Sequence, residues 1–169
     1  MAEKAREVVD RLIKRKEHIS FAESCTGGLV ASRLTDIAGS SDYVKGGIVS
    51  YTDEVKGEAL GVDRELLAAH GAVSEPVARA MAEGTRRVLR ADYGVSTTGF
   101  AGPGGGTEQN PVGTVYIAVA GPNGTQAEKH IFTGTRTQVK FRASQAALAM
   151  LRRYIKNKDG SIPNHEEEF

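Results

Sequence analysis

The chain has 169 residues, 40% apolar and 25% charged, with 22 Lys plus Arg against 21 Asp plus Glu and a formal net charge of +1. That length suits one domain with a real core, and the charge balance argues against a nucleic-acid coat or a polybasic membrane binder. One cysteine excludes an internal disulfide or a Cys-clustered zinc site. The four histidines lack ligand spacing, and no membrane span or signal-peptide core is visible, so a soluble cytoplasmic protein without a metal is expected.

In chain order, residues 2–16 predict a helix, because Val8, Val9, Leu12 and Ile13 form an apolar stripe among charges. A short strand over 18–22 follows, then a helix over 27–37 with Leu29, Val30, Leu34 and Ile37 on one face and Gly39 as its stop. Residues 44–51 predict a strand. Thr52-Asp53-Glu54 opens the next helix, with Thr52 as cap and acids in the first turn. A short helix is expected over 63–69. Ser74-Glu75-Pro76 begins another that runs to about 90, with Ser74 as cap.

Residues 93–98 read as a buried strand that leads into a glycine cluster. Glycine contributes 20 residues, where a usual share of about 7% would give about 12. Gly99, Gly102, Gly104, Gly105 and Gly106 stand close together, and such density means tight backbone or close approach to a ligand. Residues 113–120 and 126–132 form a hairpin about Pro122-Asn123-Gly124. Thr135 and Gln138 make a capping box for a last helix over 135–156, whose apolar face is Val139, Ala143, Ala146, Ala147, Met150 and Tyr154. A single domain over 1–158 and a polar, frayed tail over 159–169 are expected.

Strands alternating with helices indicate an α/β layer fold, and the hairpin makes its sheet mixed. Ligands in such folds sit beyond the carboxyl ends of the strands. The chemistry should therefore lie after residues 22, 51 and 98.

The first place holds Ala22-Glu23-Ser24-Cys25-Thr26-Gly27-Gly28. Two roles fit a hydroxyl here: helix cap, or nucleophile at a helix start whose N–H groups hold negative charge. Cys25 is the rival nucleophile, weakened by the lack of an assigned His partner. The second place holds Tyr51 and Lys56. A Lys with a depressed pKa can act as base toward a hydroxyl, although a Lys here also fits a solvated helix face. The third, from Thr97 through Thr107, looks like a phosphate cradle. It lacks the Lys of a P-loop and is followed by a strand, not the helix of a dinucleotide fingerprint. A backbone nest for one phosphate or a sugar fits, as does a plain turn. Arg136, Lys140 and Arg142 open the last helix at the end where cations oppose the dipole. A bound anion would explain them, with Arg136 the first candidate because its fork suits phosphate.

Together with Gly71-Ala72-Val73-Ser74, Gly99-Phe100-Ala101-Gly102-Pro103 and Gly113-Thr114-Val115, these motifs resemble the CinA C-terminal domain family, the nicotinamide mononucleotide (NMN) amidohydrolases. The likeness runs from about residue 4 to 156. It implies a three-layer α/β/α fold with a mixed, mostly parallel sheet, and conversion of NMN to nicotinic acid mononucleotide and ammonia in pyridine nucleotide salvage. It implies no cofactor and no metal. The expected partner is NMN itself, with no nucleic acid or membrane, in a homo-oligomer. Full-length members carry a larger N-terminal domain with a different nucleotide hydrolase activity, expected to be absent here.

The family's Ser, Tyr and Lys fall on Ser24, Tyr51 and Lys56, and its ligand-contacting Thr and Arg on Thr98 and Arg136. Substrate-binding positions are expected at Thr26, Gly27, Thr98, Gly99, Gly102, Gly104, Gly105, Arg136 and Arg142. Tyr51 either relays a proton to the leaving ammonia or orients Lys56. Phe100 stands where the family often has Ile, which changes the pocket wall rather than the chemistry. Two alternatives remain: a non-catalytic nucleotide-binding or regulatory module, and a hydrolase of another amide or ester of a phosphorylated nucleoside.

Overall fold

The computed structural model describes residues 2–158, and the expected frayed tail lies outside them. The chain runs α1 (Ala2–Arg15), β1 (Ile19–Glu23), α2 (Leu29–Thr35), β2 (Val44–Val49), α3 (Asp53–Leu60), α4 (Arg64–His70), α5 (Glu75–Val88), β3 (Tyr93–Gly99), β4 (Thr114–Gly121), β5 (Gly124–Ile131) and α6 (Arg136–Lys158), with a 3₁₀ turn at Ser40–Asp42. Every predicted element is present, with no end shifted by more than two residues.

The sheet order is β2-β1-β3-β4-β5. β1 pairs in parallel with β2 and β3, while β3–β4 and β4–β5 are antiparallel, so β4 alone runs against the other four strands. Burial follows position. β1 is buried at every residue, as a central strand covered on both faces must be, whereas β2 and β5 alternate as edges do.

Alternation along the strands sorts two cores. Ile19, Phe21, Tyr93, Val95, Val115, Ile117 and Val119 face α1, α2 and α6. The opposite face is lined by small residues. Ser96 Oγ donates to Ala78 O of α5 at 2.6 Å, Ala118 and Ala120 meet Ala78 and Ala82, and a Cβ on Gly94 would overlap Ala82 O. Small side chains on both partners let α5 lie close to the sheet and leave little room for larger ones. The layers are thus helix, sheet and helix, with α3, α4 and α5 on the small-residue side.

Side-chain caps at the helix starts agree with the sequence in two cases and differ in two. Thr52 Oγ1 accepts from Val55 N at 3.3 Å. Thr135 N donates to Gln138 Oε1 at 2.9 Å while Gln138 N donates to Thr135 Oγ1 at 3.3 Å, a reciprocal capping box. Ser74 holds the N-cap position of α5 as expected, but its side chain makes no capping bond, and its hydroxyl donates to Gly71 O at 2.8 Å. Neither Ser24 nor Thr26 caps α2. Its N-cap is Gly28, at φ 104, where a residue bearing a Cβ would be strained. The acceptor comes from outside the helix. Glu23 at the end of β1 takes Val30 N on Oε1 at 2.8 Å and Ala31 N on Oε2 at 3.1 Å.

Candidate active site

Three parallel strands end on the same edge, and the loops after β1, β2 and β3 meet there. They enclose a cavity of about 250 Å³ lined by Ser24, Cys25, Tyr51, Asp53, Lys56, Ala72, Val73, Thr98, Gly99, Phe100, Ala101, Gly102, Gly104 and Arg136. The three places singled out in the sequence are therefore one place.

At its floor Lys56 Nζ lies 3.1 Å from Ser24 Oγ and donates to Ser50 O at 2.7 Å. Lys56 is only 1% exposed. Burial pulls its pKa down, since the charged form loses water, and Asp53 and the Cys25 thiol partly oppose that shift. A buried amine whose charged form is disfavoured, set beside a serine hydroxyl, is the arrangement a Ser–Lys nucleophile requires. Cys25, by contrast, is buried, and its thiol is pushed up to about 12, chiefly by loss of solvent. Such a thiol holds little thiolate near neutral pH, which removes it as a rival to Ser24.

The loop that carries Ser24 is tied down from both sides. Ser24 N donates to Thr97 O at 3.0 Å, and Gly27 N donates to Ser24 O at 3.1 Å. Thr26 Oγ1 donates to Glu23 Oε1 at 2.6 Å and lies 2.7 Å from Thr97 Oγ1. Glu23 thereby holds both the helix start and the turn. This corrects one expectation: Val30 and Ala31 N–H groups are occupied by Glu23 and are not available to a reacting oxyanion. Thr26 and Gly27 shape the loop and do not line the cavity.

At the rim, Arg136 from the first turn of α6 reaches across. Its Nη1 donates to Gly102 O at 2.8 Å and its Nη2 to the Tyr51 hydroxyl at 2.9 Å. Tyr51 is 56% exposed, and its hydroxyl is bonded to Arg136 rather than to Lys56. Lys56 is oriented instead by Ser50 O, a main-chain acceptor. Thr98 sits in the wall, its hydroxyl donating to Ala72 O at 2.8 Å. Phe100 lines the cavity and packs against Gly105, where a Cβ would stand 3.1 Å from its ring; Gly105 itself lies behind the wall.

Arg142 departs from the expected site. Its guanidinium donates to the Thr133 carbonyl and hydroxyl, and it lines a separate depression with His130, Phe132 and Arg153. Six residues along a helix at about 100° per residue turn a side chain well away from its starting face, so Arg136 and Arg142 cannot share one ligand. Lys140, four residues on from Arg136, does come back toward the loops: its Nζ stands 3.8 Å from where a Cβ on Gly27 would be. The sequence alone assigns Glu23 and Ser50 no role, and gives Asp53 only that of an acid in the first turn of α3. A charged residue directly after the mostly apolar run Ile19-Ser20-Phe21-Ala22 is the signal the sequence offers for Glu23. Ser50 acts through its carbonyl, which has no sequence signature.

Among the described residues, no His, Cys, Asp and Glu side chains cluster in a way that could hold a metal ion, and no helix is long and apolar enough to cross a membrane.

Comparison with known proteins decides the family. The model of the CinA C-terminal domain matches residues 1–155. The chain belongs to the CinA C-terminal domain family. It is 54% identical over 145 residues to a CinA-like protein of Anaeromyxobacter dehalogenans (strain 2CP-C), covering 86% of this chain and 36% of that relative. The chain thus spans about a third of the length of the curated relatives it matches. Among solved structures, it is similar to the competence/damage inducible protein CihA of Agrobacterium tumefaciens (TM-score 0.85, 42% identity, covering 88% of this chain and 92% of that one). A CinA superfamily protein from Klebsiella pneumoniae 700603 gives a TM-score of 0.87 at 34% identity, covering 92% and 97%.

Proposed function

We propose that the chain is an amidohydrolase that converts NMN to nicotinic acid mononucleotide and ammonia, a step of pyridine nucleotide salvage. The observation that carries this reading is the buried Lys56 amine 3.1 Å from Ser24 Oγ, on the floor of a cavity with an arginine at its rim.

In this reading neutral Lys56 takes the Ser24 proton as Oγ attacks the carboxamide carbon. The Lys56 ammonium so formed faces the developing negative charge, a task the occupied α2 N–H groups cannot perform. Collapse of the tetrahedral adduct breaks the C–N bond, and the Lys56 ammonium protonates the leaving nitrogen, which departs as ammonia. Water then attacks the Ser24 ester, Lys56 takes its proton, and the carboxylic acid product leaves with Ser24 restored. Arg136 binds the phosphate, together with backbone of the Gly102–Gly106 loop. Tyr51 holds Arg136 in place.

Ammonia release from NMN, nicotinamide riboside and nicotinamide tests this directly. Release from NMN well above the other two is expected. Equal release from all three would mean that the phosphate is not recognised, and none from NMN would turn the reading toward a non-catalytic nucleotide-binding module.

A further inference from the structure

The cavity lining contains three residues of charged type: Asp53, Lys56 and Arg136. Lys56 must be neutral to activate Ser24, so the working cavity carries one cation at the rim and one anion at Asp53. Among the described residues, the anion is not held by any side-chain partner. Asp53 is the first residue of α3, but the cap is made by the Thr52 hydroxyl. Asp53 is exposed and its carboxylate makes no hydrogen bond or ion pair among the described residues. Its neighbour Glu54 gives the same favourable charge to the helix start without lining the cavity.

Its place relative to the chemistry is defined. Asp53 precedes Lys56 by three residues, about one helical turn, so the two share a face. The Asp53 carboxylate is close enough for its charge to act on the Lys56 amine. Lys56 in turn lies 3.1 Å from Ser24 Oγ. A carboxamide attacked by Ser24 brings the ring it is attached to into the same corner. In NMN that ring is a pyridinium and carries a positive charge. In the reduced mononucleotide it is a neutral dihydropyridine of nearly the same shape.

We propose that Asp53 makes this cavity selective for the oxidised, cationic form of the mononucleotide over its reduced, uncharged form. The inference rests on the NMN reading above. The two charges of the site then match the two poles of the substrate, Arg136 with phosphate and Asp53 with the ring. Hydrolysis is thereby biased toward the oxidised nucleotide pool.

Binding, rather than turnover, isolates the effect, because the two rings differ in intrinsic amide reactivity. Calorimetry would compare Ser24→Ala with Ser24→Ala/Asp53→Asn, using NMN and reduced NMN as ligands. Asn keeps the size and an acceptor oxygen and removes only the charge. Ser24→Ala should bind NMN about tenfold more tightly than the reduced form, with the ratio shrinking in high salt. Adding Asp53→Asn should erase the ratio by weakening NMN alone. An unchanged ratio overturns the proposal. So does equal weakening of both forms, which would place Asp53 on the ribose hydroxyls, and so does failure of Ser24→Ala to bind either form. Ammonia release by the unmodified protein separates this from the amidase reading. Release with the ratio untouched by Asp53→Asn sinks the selectivity alone, while a charge-dependent ratio without ammonia release sinks the amidase alone.

Discussion

The floor and the rim of the cavity are built in different ways. On the floor, Ser24, Lys56 and Glu23 are buried and anchored mainly to main chain: Thr97 O near the end of β3, Ser50 O just past β2, and the N–H groups of Val30 and Ala31 at the start of α2. At the rim, Tyr51 and Arg136 are held largely by each other, and the arginine arrives from α6, 85 residues further along the chain. Sheet-anchored groups keep a geometry through a reaction. A rim of long side chains adjusts to a ligand and releases it. The floor should therefore govern turnover and the rim affinity, and substitutions on each side should separate kcat from KM.

The largest effect belongs to Ser24. Ser24→Ala should lower kcat for ammonia release by about 10³-fold or more, with KM for NMN little changed and the fold intact. Near-normal release from folded Ser24→Ala would transfer the attack to an activated water and dissolve the distinction between floor and rim.

Lys56 comes next. Lys56→Arg should lose about 10²-fold or more in kcat, because a guanidinium stays protonated and cannot take the Ser24 proton. Activity of the unmodified protein should fall on the acid side, as Lys56 takes up a proton. The same group affects stability. Its folded-state pKa lies below the unfolded one, so between the two values the unfolded chain binds the proton the folded chain resists. Stability should fall as pH drops through that window and level off below it. Lys56→Met should remove this dependence and raise Tm near pH 7 by about 2–4 °C while abolishing ammonia release. A lower Tm for folded Lys56→Met would show that the buried amine supports the fold.

Local signals were legible in the sequence, and distant ones were not. Thr52, and Thr135 with Gln138, cap the helices they immediately precede, and both were visible. The acceptor that caps α2 is Glu23, seven and eight residues ahead of the N–H groups it takes, across a turn that one sequence does not reveal. Ser74 is the N-cap of α5 that its position suggests, yet the direction of its hydroxyl, toward Gly71 O and not the helix N–H groups, is not visible in the sequence. Strand ends located the site, since Ser24, Lys56 and Thr98 follow or end three strands that lie side by side. Arg136, the first candidate, and Arg142 both stand as cations in one helix start, and the helical turn between them sends one to the cavity and the other to Thr133.

On the rim, Arg136→Ala should raise KM for NMN by about 10- to 150-fold, the value of a charge-assisted contact of roughly 1.5–3 kcal/mol. Any residual activity on nicotinamide riboside, which lacks the phosphate, should hardly change. Equal losses on the two substrates would mean that Arg136 acts through Gly102 O, shaping the loop rather than holding an anion.

Tyr51→Phe should be the mildest change and the sharpest test of the division. The ring stays and the Arg136 Nη2 hydrogen bond is lost, while Nη1 keeps its bond to Gly102 O. With the tyrosine more than half exposed, water replaces the lost acceptor readily, so the loss should be near 1 kcal/mol, about fivefold in KM, with kcat preserved. The alternative role makes a different prediction. If Tyr51 delivers the proton to the departing ammonia, its removal should lower kcat by about 10²-fold and leave KM alone. The two outcomes differ in which constant moves as well as in size, so steady-state kinetics on this one variant assigns Tyr51 to the rim or to the floor.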